Sequence, residues 1–185
     1  MNVTPAAVVE FWHGAGPKCW FAHDPAFDRA IAERFEAAHQ AAARGVLAGW
    51  EESPEGALAL VLLTDQFSRN LYRGSAHAFA TDEMARNVAQ RAIARGFDQA
   101  FDPALRQFFY LPFEHHEDSA SQGRAVALYE ALAATGDAPV QGLEYARLHA
   151  GLIARFGRFA HRNPVLGRLS TPEEEAYLAE GGFAG

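Results

Sequence analysis

Cysteine, lysine and net positive charge are what this chain has least of, and each shortage excludes something. Cys19 is the single cysteine among 185 residues, so there is no internal disulfide and no cysteine-built metal site. Lys18 is the lone lysine, which leaves the positive charge almost entirely to guanidinium groups, the forks suited to carboxylate or phosphate. A net charge of −7 provides no basic domain of the kind that nucleic-acid binding requires. No apolar run is long enough to span a bilayer, and the N-terminus lacks a basic segment followed by an apolar signal core. These absences predict a cytoplasmic protein with no membrane partner and no nucleic-acid partner. No stretch sustains a period-two pattern, and there is no Gly-rich phosphate loop, no Gly-x-Ser-x-Gly elbow and no His-Glu-x-x-His. Nothing points to a particular cofactor or oligomeric state, and no metal ligand set is assigned.

What is present is 49% hydrophobic residues, enough for one helical domain over residues 1–185 with a substantial core. Helix starts are written locally as a capping side chain followed by proline: Thr4-Pro5, Asp24-Pro25, Ser53-Pro54, Asp102-Pro103 and Thr171-Pro172. Asp118 caps a helix over Ser119 to Thr135, and another helix runs from about Val140 to Phe156 through Leu143, Leu148, Leu152 and Ile153. Residues Ala76 to Arg95 read as helical with a break near Thr81. The fold class is therefore all-α, a stack of antiparallel helical hairpins.

Three polar clusters stand out, and they are expected to meet. The first lies on the second half of an apolar helix over Ser53 to Gly74. Ala57 to Leu63 is apolar all round, as in a central helix, and then Asp65, Arg69 and Arg73 fall on one face with Gln66 and Asn70 beside them. The second is Glu114-His115-His116-Glu117-Asp118, after Pro112, which is expected to break the preceding helix. The third holds His149, Arg155, Arg158, His161, Arg162, Asn163 and Arg168, with no acidic residue among them, and forms a local positive field. These residues equally suit a network of interhelical ion pairs, in which Arg155, Arg158 and Arg162 answer Asp65, Glu114, Glu117 and Asp118.

Three segments also carry a family resemblance. They are Leu62-Leu63-Thr64-Asp65-Gln66-Phe67-Ser68-Arg69-Asn70-Leu71-Tyr72-Arg73-Gly74, then Leu111-Pro112-Phe113-Glu114-His115-His116-Glu117-Asp118, then Arg155-Phe156-Gly157-Arg158-Phe159-Ala160-His161-Arg162-Asn163. In that order, with Phe11-Trp12 and Trp20-Phe21 ahead of them, they resemble the bacterial family called domain of unknown function 924. The resemblance implies a tetratricopeptide-like α-α superhelix and supplies no activity. Ser68, Ala160 and His116 depart from its usual pattern.

Function reads three ways from these residues. The first is a binding module that holds a small anionic molecule or a peptide terminus, with Asp65, Gln66, Arg69, Asn70, Arg73, Arg158, Arg162 and Asn163 as ligand-binding residues. The second is a hydrolase with Glu114 or Glu117 as general base, His115 or His161 as acid and Arg158 or Arg162 stabilising developing charge; a metal-assisted version of it would add His149. The third makes all three clusters structural and places the function in protein-protein contact.

Overall fold

The computed structural model describes residues 3–136 and 141–185, and those residues are helical with no strand among them. The elements are α1 (Pro5–Ala15), α2 (Pro17–Trp20), α3 (Pro25–Ala43), α4 (Pro54–Val61), α5 (Phe67–Leu71), α6 (Asp82–Ala94), α7 (Pro103–Arg106), α8 (Leu111–Glu114), α9 (Ser119–Ala133), α10 (Gly142–Phe156) and α11 (Pro172–Ala179). They form two compact units. The first comprises Met1–Arg73 with His77–Pro112, and the second comprises Gly74–Ala76 with Phe113–Gly185. No helix among the described residues is long and apolar enough to cross a membrane.

Local chemistry starts the helices where the sequence predicts. Thr4, Asp24, Ser53, Asp102 and Thr171 each accept a backbone N–H of the first turn that follows, and each precedes a proline whose missing donor costs nothing there. Asp118 caps α9 through the Ser121 N–H at 2.8 Å. The expected break near Thr81 falls between a 3-10 turn, Ala76–Phe79, and α6. The expected helix start at Val140 lies outside the described residues. Pro112 lies at a junction between helical segments: the 3-10 turn Gln107–Phe109 ends ahead of it, and it sits in the first turn of the short α8, where a proline is tolerated.

In the first unit α4 is the central helix, with α1 and α6 packed against it. Every residue from Gly56 to Val61 is buried, as the all-round apolar run predicts. Trp12, Phe35, Phe67 and Phe108 complete this core, and the Trp20 indole N–H donates to the Trp12 carbonyl at 2.7 Å.

The helix predicted over Ser53 to Gly74 is not one regular α-helix. Leu62–Gln66 forms a π-turn, closed by the Phe67 N–H bonding to Leu62 O, before α5 resumes. A π-turn carries one extra residue and leaves carbonyls that the regular ladder no longer uses. Side chains take them up: His39 Nδ1 lies 2.8 Å from Leu63 O, the Thr81 hydroxyl donates to Thr64 O, and the Ser68 hydroxyl donates to Asp65 O at 2.9 Å.

In the second unit α9 and α10 pack as a hairpin through Ala125, Tyr129 and Leu132 of one and Ala146 of the other. The α10 face is set differently from the sequence reading. Leu148 is exposed, whereas Ala146, His149, Leu152 and Ile153 point inward. A second small core joins Leu152, Ile153 and Phe159 to Phe156, Tyr177 and Phe183.

Candidate functional site

The second and third polar clusters meet inside the second unit. Glu114, at the end of α8, is 3% exposed and places Oε1 3.1 Å from Nδ1 of His149, which is 7% exposed on α10. The same Nδ1 lies 2.8 Å from the Tyr145 carbonyl, one helical turn earlier. An imidazole nitrogen facing two acceptors carries a proton, so in the neutral form of the His149 ring Nε2 is the basic nitrogen.

Aromatic rings wall this pair. His149 meets Phe159 edge-on at 5.2 Å and Phe183 at 4.8 Å. His161, on the 3-10 turn Ala160–Arg162, contacts the same two rings, at 5.7 Å for Phe159 and 5.4 Å for Phe183. Burial pushes His161 down to about 4, and the charges of Arg162 and Arg168 add to that against the opposing pull of Glu117. The ring is therefore neutral at pH 7. The Arg162 guanidinium lies 4.5 Å over the Phe159 ring and donates to the His115 carbonyl at 3.0 Å.

Gln122 holds the Glu114 turn in place. It is 2% exposed, and its amide nitrogen donates to the carbonyls of Glu114 and His116, each at 2.7 Å. His116 pairs with Asp118, itself the α9 cap. Burial works to raise the Asp118 carboxyl, but hydrogen bonds from Ser121 and His116 outweigh it and hold the group at about 2.

The other charged candidates of this unit are spent on one another. Glu117 accepts the Phe159 N–H at 2.8 Å and both arms of Arg168, at 2.6 and 3.0 Å. Burial acts to raise its carboxyl, and these bonds, with the charges of Arg168 and Arg162, outweigh burial and lower it. A carboxylate so engaged is a poor general base. Arg158 donates twice to Glu174, at 2.7 and 2.8 Å, and Asn163 donates to the same carboxylate at 3.2 Å. Arg155 pairs with Glu173 at 2.8 Å. For Arg155 and Arg158 the acidic partners thus come from α11, Glu173 and Glu174. The Thr171-x-x-Glu174 capping box was the sequence signal for one of them.

The first cluster is built within the first unit and satisfied there. Asp65 is fully buried, with Arg69 Nη1 3.3 Å from Oδ1 and the Gln66 amide donating to Oδ2. Arg69 also forks onto Asp82 at 3.0 and 3.1 Å. Arg73 and Asn70 leave that face for Asp28, with Arg73 bidentate at 3.0 Å and Asn70 donating at 2.7 Å. Asp28 thereby ties α5 to α3. Among the described residues no three of His, Cys, Asp and Glu are placed to hold one metal ion.

The chain is similar to a protein of unknown function, ATU0120, from Agrobacterium tumefaciens, with 51% sequence identity over 96% of this chain and 97% of that one and a TM-score of 0.90. No curated protein matches it. The family model described as "Bacterial protein of unknown function (DUF924)" matches residues 8–182, nearly the whole chain, and the protein belongs to that family.

Proposed function

We propose that the second unit carries an acid-base site of hydrolytic type, centred on Glu114 and His149. The observation that supports it is the buried carboxylate 3.1 Å from the imidazole Nδ1, the arrangement by which an acid orients a base and stabilises the imidazolium that forms. His149 takes the proton of an attacking water through Nε2. Glu114 keeps the ring in its tautomer. Arg162 supplies positive charge for the oxyanion that develops. His161, neutral at pH 7, serves as a hydrogen-bonding partner for the water and not as the acid that the sequence reading assigned.

The anion-pocket reading draws less support. Arg69, Arg73 and Arg158 are each forked onto carboxylates of the chain itself, and an external anion would have to displace those carboxylates. A panel of chromogenic carboxylic esters, phosphomonoesters and N-acyl anilides, assayed on the wild type and on Glu114→Gln and His149→Ala, tests the proposal. Turnover of one class that both substitutions abolish, in variants that keep the wild-type melting profile, is the expected result. Turnover unaffected by either substitution, or no turnover of any class, defeats it.

A further inference from the structure

After α11 ends at Ala179, the chain turns at Gly181 with φ of 84° and runs on without regular structure to Gly185. This strap delivers the Phe183 ring into a slot walled by three other rings: Tyr145 at 6.4 Å, His149 at 4.8 Å and His161 at 5.4 Å. All three interplanar angles, 61°, 70° and 80°, are those of edge-to-face contacts, the geometry that a flat aryl group favours. Tyr177 holds the backbone of the strap. The Phe183 N–H donates to the Tyr177 hydroxyl and the Gly182 N–H to the Tyr177 carbonyl, both at 2.9 Å. A Cβ on Gly182 would lie 2.5 Å from the Tyr177 ring, so only glycine lets the strap pass this close.

Apart from the Phe183 ring, which packs on the small core of this unit, the strap is lightly fastened for something that covers two imidazoles. Gly181, Ala184 and Gly185 are exposed and Phe183 is only half-buried. Segments with few buried contacts open at low free-energy cost. What Phe183 presents to the slot is an aryl side chain beside a backbone N–H, and the slot answers with a ring cage and a hydroxyl acceptor.

We propose that this slot receives an aromatic residue of a peptide-like substrate and that Phe183 is its resident competitor, which must swing out before the imidazoles can be reached. The slot adjoins the acid-base site, so calling its ligand a substrate rests on that reading; the aryl binding itself does not. An occupied slot lowers apparent affinity in proportion to the fraction of molecules with the strap lifted. Arg162, Glu117, Arg168 and His115 act electrostatically on His161, and Phe183 contributes to its burial, so the His161 titration reports whether the slot is filled.

The test follows the His161 ring by NMR in the full-length protein, titrated with N-acetylphenylalanine amide and with N-acetylalanine amide. In Phe183→Ala the His161 midpoint is expected to rise from about 4 toward the ordinary value of about 6.5. The phenylalanine probe should return it downward, bind at least tenfold more tightly than to the wild type, and leave the alanine probe without effect. Equal affinity in wild type and variant, or equal response to both probes, overturns the proposal. Should Phe183→Ala not fold, the wild-type chain decides: a shift of the His161 resonances by high concentrations of the phenylalanine probe alone supports the slot, and an identical response to both probes overturns it. Glu114→Gln added to Phe183→Ala separates the two readings. Probe binding retained with no hydrolysis of any panel substrate in the parent protein defeats only the acid-base site, and hydrolysis present with no probe binding defeats only the slot.

Discussion

Glu114 Oε1 stands 3.1 Å from His149 Nδ1, joining the end of α8 to the middle of α10 in a place where neither side chain is more than 9% exposed. A carboxylate at that depth is stable only with partners, and a histidine so placed is held in one tautomer. For the substrate class that the panel identifies, His149→Ala is expected to lower kcat/KM by about 10²-fold or more, and Glu114→Gln by a smaller factor with KM little changed. Steady-state kinetics on both variants check this.

His161 predicts a pH dependence of stability. Its folded value of about 4 lies below the unfolded value of about 6.5, so between those pH values the unfolded chain binds more protons. Its contribution is complete above about pH 6.5, is lost as pH falls toward 4, and changes no further below that. After allowance for partial solvent exposure the effect is on the order of 2 kcal/mol. Urea unfolding at several pH values between 4 and 7 should show this slope in the wild type and lack it in His161→Phe.

Arg69 is a clamp between two carboxylates, and its removal takes a cation away from the fully buried Asp65. Arg69→Met is expected to cost about 3 kcal/mol of folding free energy. Arg147→Ala, which loses only the exposed pair with Glu130, is expected to cost less than about 1 kcal/mol. Chemical denaturation of the two variants side by side measures the difference. Similar small losses in both would return Arg69 to the list of residues available for an external anion.

Two glycines in helices predict opposite signs. A Cβ on Gly56 would stand 2.0 Å from the Trp50 carbonyl oxygen, a backbone atom that cannot step aside, so Gly56→Ala is expected to destabilise by about 3 kcal/mol or more. Gly14, in the last turn of α1, has nothing within 4 Å of such a Cβ. Gly14→Ala is expected to stabilise by about 0.4–1 kcal/mol by restricting the unfolded chain. Melting temperatures of the two variants decide both signs.

The helical class and nearly every helix start were legible because they depend on groups three residues apart. Thr4, Asp24, Ser53 and Asp102 reach their donors within one turn of chain, whatever the rest of the molecule does. The apolar run around α4 announced its central position in the same way. The clusters were legible as clusters too, since polar groups amid apolar sequence must find partners. Which partners they found was not. Only the folded chain sets Asp28, Asp82, Glu173 and Glu174 against Arg73, Arg69, Arg155 and Arg158.

The amino-acid sequence by itself determined the all-helical class, the points at which the helices begin, and the residues whose polarity demands an answer inside the fold. The tertiary structure alone decided the π-turn at Leu62–Gln66, because its carbonyls need His39 and Thr81 from other helices. It also decided that Glu117 belongs to Arg168 while Glu114 belongs to His149. Two acids three residues apart read alike in sequence, and the assignment depends on which donor, His149 or Arg168, the packing of α10 and the turn after it brings within about 3 Å of each.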